Sequence, residues 1–146
     1  MTVRPARDPG EVAAAQQLRI RVFCDEQGVP LGEELDEHED ASTHLVALDE
    51  SGVIGTCRLR RAGPDLRLER MAVDRRLRGS GVGARILAEA ESVARGSGAG
   101  RMVLNAQTRA AGFYEGSGYV PEGGTFMDAG IEHVRMTKRL AAEGRP

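Results

Sequence analysis

Apolar residues recur along this chain with two different periods, and the changes between them mark out its elements. Residues 82–98, VGARILAEAESVARGSG, set Val82, Ile86, Ala90, Val93 and Ala94 on one face at helical spacing, and the glycine-rich stretch that follows ends the run. Residues 9–28, PGEVAAAQQLRIRVFCDEQG, predict a second helix. Ala14, Leu18 and Val22 share its face, Pro9 and Gly10 stand at its start and Gly28 lies past its end. Residues 108–118, TRAAGFYEGSG, predict a short helix that stops at glycine. The other apolar segments read as strands: 2–6, 43–50, 52–61, 66–73, 101–107, and a final hairpin of 119–130 with 131–140. An acidic stretch, 33–42, separates the first helix from the second strand. The order β-α-βββ-α-β-α-ββ predicts a single α/β layer structure with a mixed sheet. It occupies residues 1–140 as one domain, and residues 141–146 are expected to fray.

Composition narrows the function classes. Net charge is −2, so no basic surface points to nucleic acid, and an aromatic content of 3% argues against a base-stacking platform. The two cysteines, Cys24 and Cys57, form no C-x-x-C pair and suit a reduced cytoplasm. No signal peptide and no apolar run long enough to span a bilayer is visible, so a cytoplasmic chain without a membrane partner is expected.

The chemistry is concentrated in RRLRGSGVGARIL, residues 75–87. Glycines at 79, 81 and 83 let backbone approach a ligand closely, and the helix that follows offers free N–H groups and a positive dipole end to an anion. GSGVGA satisfies the dinucleotide pattern G-x-G-x-x-[GA], and RGSGVG satisfies [RQ]-x-x-G-x-[GA], which cradles coenzyme A. The dinucleotide reading needs glycines directly after the strand and an acidic residue about 20 residues on. Here DRRLR separates Val73 from Gly79, the next strand carries Asn105 and Gln107 but no carboxylate, and a three-strand meander precedes the unit. The dinucleotide reading fails on all three counts, and the coenzyme A template fits better.

Two segments, MAVDRRLRGSGVGARIL and QTRAAGFYEGSGY, together resemble the GNAT superfamily of N-acetyltransferases over nearly the whole chain. RIRVFCDEQGVPLGEELDEHEDASTHLVA and FMDAGIEHVRM resemble, more narrowly, its ElaA-like (YjcF-like) branch. Gln107 stands in the place of the family's usual Asn, Tyr119 in that of its final Phe, and Arg109 where the branch often has His. The resemblance implies an α/β GNAT fold with a mixed central sheet of about seven strands flanked by about four helices. It implies acetyl-CoA as co-substrate, held at its pyrophosphate by the loop of Arg78, Gly79, Ser80, Gly81, Val82, Gly83 and Ala84, with Arg75 or Arg76 adding charge. The pantetheine arm would pair as an added strand along Met71, Ala72 and Val73, with Gln107 and Phe113 completing the cofactor set.

Acetyl transfer to an amine needs a route for the amine proton, a donor to the carbonyl oxygen and an acid for the leaving thiolate. Tyr114 matches the family's general acid. Glu69 lies on the strand LRLERMAV, where alternation puts Arg67, Glu69, Met71 and Val73 on the face opposite Leu66 and Leu68. Apolar neighbours would raise its pKa toward duty as a base, and an ion pair with Arg67 or Arg70 is the equal alternative. A histidine or a water chain could also serve as base.

The acidic run Glu33, Glu34, Asp36, Glu37, Glu39 and Asp40 reads mostly as a solvated face. Glu34 and Asp36 match the branch's ELD, and they are the residues expected to favour a cationic acceptor. His44 and His133 are branch-like and join that acceptor set, though each also fits a structural role. No metal is expected, because three histidines without close spacing do not make a site. The expected partner is a small-molecule or peptide amine, and the oligomeric expectation is a monomer or a homodimer joined through the C-terminal hairpin. A coenzyme A-binding module without catalysis is the rival reading.

Overall fold

A computed structural model describes residues 1–31, 38–39 and 41–140. The strands are β1 (Thr2–Pro5), β2 (Thr43–Asp49), β3 (Gly52–Ala62), β4 (Asp65–Val73), β5 (Arg101–Gln107), β6 (Val120–Asp128) and β7 (Ile131–Arg139). Among the described residues the α-helices are α1 (Pro9–Arg19), α2 (Val82–Gly96) and α3 (Ala111–Glu115). The strands form one sheet in the order β1-β2-β3-β4-β5-β7-β6. Neighbours are antiparallel except β4 and β5, which run parallel. The mixed seven-strand sheet expected from the sequence is therefore present. β6 forms its outer edge and is exposed along its length. Among the described residues no helix is long and apolar enough to cross a membrane.

α1 starts where Asp8 caps it, accepting a hydrogen bond from Glu11 N at 2.8 Å with Pro9 in the first turn. The sequence predicts one helix ending before Gly28, but regular α-helix ends at Arg19 and Ile20–Glu26 continue as a π-helix. Bonds outside the helix, from Arg78 to Glu26 and from Gln107 to Gln27, hold this wider turn in place. The buried stripe comprises Ala15, Leu18, Arg19 and Val22, with Ala14 only half-buried. A polar residue thus sits within the face that apolar spacing alone placed one position away.

The sheet buries both faces. The larger cluster lies under α2 and joins Leu45, Cys57, Leu59, Leu66, Leu68, Ile86, Leu87, Met102 and Met136. The smaller, under α1, joins Leu18, Val22 and Ala72. α2 approaches β3 closely at Gly55, where a Cβ would lie 2.7 Å from Ile86 Cδ1 and 3.0 Å from Val82 Cγ1.

One irregularity reorganises β4. Arg58 pairs with Glu69 while Thr56 pairs with Ala72, so Arg70 and Met71 together stand opposite Cys57 in a β-bulge. Arg70 takes a left-handed backbone, φ 57°. The bulge inverts the alternation beyond it, which corrects the single face read for Arg67, Glu69, Met71 and Val73. Glu69 lies beside Arg58 on the α1 side, whereas Met71 and Val73 pack against the α2-side cluster. Pairing of β4 with β5 runs from Asp65–Arg101 to Leu68–Leu104 and stops as the bulge begins.

Gly55→Val should overpack the α2–β3 contact. A loss of about 1–3 kcal/mol is expected, read as a lower midpoint in thermal unfolding with the fold retained.

Candidate active site

Where β4 and β5 part, the sheet opens into a cleft of about 1070 Å³. Its β4 wall is Met71, Ala72 and Val73, whose edge toward β5 meets no described strand. Its far wall is the end of β5 with α3, including Gln107, Phe113 and Tyr114, and His133 from β7. β7 reaches that wall because His133 pairs with Gln107 across the β5–β7 ladder.

At the mouth stands the glycine loop. Gly79 and Gly81 have φ of 81° and 92°, a region closed to most side chains, and a Cβ on either would meet nothing within 4 Å. Gly81 is the N-cap of α2, and no side chain caps that end. The first turn therefore keeps N–H groups without intrahelical acceptors. Arg78, Gly79, Gly81, Val82, Gly83 and Ala84 line the cleft. Ser80 does not: its N–H and its hydroxyl both donate to the Leu77 carbonyl. Of the nearby arginines, Arg76 is held by Asp74 at 3.1 Å, and Arg78 faces the cleft while bonded to Glu26.

Tyr114 is buried on α3, edge-on to Phe113 at 4.9 Å between centroids. Its hydroxyl has no hydrogen-bond partner among the described residues, and burial raises its pKa, keeping it protonated. Cys57 is fully buried and its thiol is likewise pushed up by burial, which removes it as a nucleophile. His133 Nδ1 lies 2.7 Å from the Ile131 carbonyl and its ring stacks on Phe126. A carbonyl only accepts, so Nδ1 carries a proton and Nε2 of the neutral ring is an acceptor. Gln107 is engaged on both sides of its amide, donating to Gln27 and accepting from Arg109.

Glu69 lines the cleft but is not poised as a base. Its carboxylate accepts from Arg58 at 2.9 Å and from Arg60 at 2.8 Å. Burial would raise its pKa, but the hydrogen bonds and charges of Arg60 and Arg58 outweigh it and hold the carboxyl below its ordinary value. The ion-pair alternative is the one present, with Arg67 Nε also 3.6 Å from the carboxylate, and the bulge carries Met71 to the opposite face, away from Glu69.

That pair belongs to a larger network absent from the sequence reading. Arg19 and Arg58 are both 0% exposed. Arg19 grips Glu39 in bidentate fashion at 2.8 and 2.9 Å, and Arg58 bridges Glu39 and Glu69. Gln16 also donates to Glu39 at 2.8 Å. Glu39 therefore departs from the solvated face expected of the acidic run. The available signal was an arginine inside each apolar pattern: Arg19 beside Leu18, and Arg58 between Cys57 and Leu59. His44 sits in this network, with Nε2 3.0 Å from the Glu39 carbonyl, and does not line the cleft, a placement that fits the structural alternative. Glu34 and Asp36 lie outside the described residues.

Comparison with known proteins agrees with the geometry. Residues 11–140 match the acetyltransferase (GNAT) domain family. The chain is 40% identical over 134 residues to the uncharacterized N-acetyltransferase YjcF of Bacillus subtilis (strain 168), covering 91% of this chain and 96% of that protein. A protein of known crystal structure from Lactobacillus plantarum superposes with a TM-score of 0.89 at 30% identity, covering 96% of this chain and 98% of that one. An aminoglycoside 6′-N-acetyltransferase crystallised with coenzyme A shares the fold, with a TM-score of 0.77 at 16% identity over 100% of this chain and 99% of that one.

The network makes acid stability specific. Burial raises the Glu39 carboxyl, but bonds from Arg19 and Gln16 with the charges of Arg19 and His44 lower it to about 2. A depressed folded-state pKa gives stability that is present above the unfolded value and lost as pH falls through the folded one. Glu39→Gln should therefore cost on the order of 2–3 kcal/mol near neutrality. Its deficit relative to wild type should shrink between about pH 4.5 and pH 2, measured by denaturant unfolding across that range.

Proposed function

The chain belongs to the GNAT acetyltransferase family, and we propose that it passes acetyl from acetyl-CoA to a primary amine by direct attack within the β4–β5 cleft. The observation that carries this reading is the coincidence of a β4 edge that meets no described strand with a glycine-led helix N-terminus that no side chain caps, at one mouth. The thioester supplies the activated acetyl group. Free N–H groups of the glycine loop and first turn of α2 receive the diphosphate. The backbone of Met71 and Val73 pairs with the amide-bearing arm as a strand would, which directs the thioester inward toward Tyr114. Coenzyme A in a structural neighbour of this fold supports the assignment.

In the transfer, a bond forms between the amine nitrogen and the carbonyl carbon, the carbon–sulfur bond breaks, the sulfur leaves with the electron pair, and the amine proton passes to solvent water in the open cleft. Tyr114 donates a hydrogen bond to that sulfur. Burial raises the tyrosine pKa well above that of a thiol, so complete proton transfer to the thiolate is uphill, and the contribution is stabilisation of developing charge. Glu69, neutralised by two arginines, shapes the wall and does not take the amine proton. The acceptor is an amine of small-molecule or peptide type.

Calorimetric titration should show micromolar binding of acetyl-CoA and CoA and none of NADH. Gly81→Val, which forces a β-branched residue to φ 92°, should abolish or strongly weaken that binding. Tyr114→Phe should lower kcat by about 100-fold with little change in CoA affinity, assayed by thiol release over a panel of polyamines, amino acids, aminoglycosides and lysine peptides. Binding without turnover on any amine would favour a non-catalytic coenzyme A-binding module.

A further inference from the structure

Two side chains from the π-helical end of α1 cross the mouth of the cleft. Glu26 accepts from both terminal nitrogens of Arg78, at 2.7 Å from Nη1 and 3.0 Å from Nη2, while Arg78 Nε donates to the Val73 carbonyl at 3.2 Å. One residue on, Gln27 Oε1 accepts from Gln107 Nε2 at 2.7 Å. Glu26 is thus tied to the glycine-loop wall and Gln27 to the β5 wall, and all four side chains line the cleft. The guanidinium best placed to receive a diphosphate is already gripped through its whole fork by a carboxylate of this chain.

We propose that Glu26 acts against cofactor affinity: it competes with the cofactor's diphosphate for Arg78, and binding exchanges one anion for the other on that guanidinium. The inference rests on the coenzyme A reading of the cleft. Two features favour exchange over a fixed scaffold. The pair is at the rim, with side-chain exposures of 42% for Arg78 and 27% for Glu26, so it opens at low cost. By contrast, Arg19 of the Arg19–Glu39 pair is wholly buried. A diphosphate brought to the loop also meets the Glu26 carboxylate as a like charge, which Arg78 cannot neutralise while serving both anions in bidentate fashion. Release of Glu26 removes one of the two bonds by which the end of the π stretch holds the walls together.

The test is calorimetric titration of CoA, and of pantetheine as the probe lacking a diphosphate, into wild type, Glu26→Gln, Glu26→Ala and Arg78→Met, the last with and without Glu26→Gln. The expected result is CoA binding about twofold to fivefold tighter in both Glu26 variants, unchanged pantetheine binding, and loss of the gain in the Arg78→Met background. CoA binding that is unchanged or weaker in both Glu26 variants overturns the proposal and makes Glu26 a residue that positions Arg78. Wild-type protein that binds neither probe overturns the coenzyme A reading itself, a failure visible before any substitution is made.

Discussion

The bulge at Arg70 and Met71 is the constraint on which the rest of the cleft depends. Two parallel strands that begin in register at Asp65 and Arg101 stay together only while their twist and spacing agree. An extra residue in β4 bends that strand, and the ladder ends at Leu68 and Leu104. Backbone groups that a neighbouring strand would have satisfied then face a cavity. The same strand leads directly into the 3₁₀ turn Arg75–Leu77 and the glycine loop, so the open edge and the anion-receptive helix end share one mouth. An arginine at φ 57° is an unfavourable backbone state, held here by the pairing on either side of it.

The inverted alternation also decides what Glu69 can be. It joins Arg19, Glu39, Arg58 and Arg60 in a network that ties α1 to the sheet through ions rather than apolar packing alone. Burying such charges is costly, and the cost is offset only because each carboxylate meets two guanidinium groups in good geometry. A carboxylate so well satisfied has little tendency to accept a proton. The feature that makes Glu69 a sound structural element is the one that lowers its basicity.

The two tyrosines near α3 show the same logic in reverse. Tyr119 donates to Glu91 at 2.8 Å, and Lys138 completes that buried cluster at 3.0 Å, so its hydroxyl is spent on structure. Tyr114, a single turn away and edge-on to it, keeps its hydroxyl uncommitted among the described residues and lines the cleft. Their difference lies in what each hydroxyl reaches, which residue type alone does not reveal.

Local patterns settled much of this protein. The strand and helix order follows from apolar periodicity, because periods of 2 and 3.6 are written into consecutive residues. The glycine loop at the head of α2 follows from glycine spacing, because backbone freedom belongs to the residue itself. The family resemblance, carried by two motifs, gave a proposed cofactor-binding set whose members line the cleft apart from Ser80, whose donors turn inward to Leu77. What only the tertiary structure decided are facts about pairs distant in sequence. These include the partner of Glu69, the placement of Arg19 and Arg58 against Glu39, the inward turn of His44, and the reach of Glu26 to Arg78 across 52 positions. The one-residue bulge shows in LRLERMAV only as two consecutive polar residues, Glu69 and Arg70, between Leu68 and Met71, and it reverses the faces beyond them. Charge interactions depend on distance in space, and sequence order does not specify that distance until the sheet has formed.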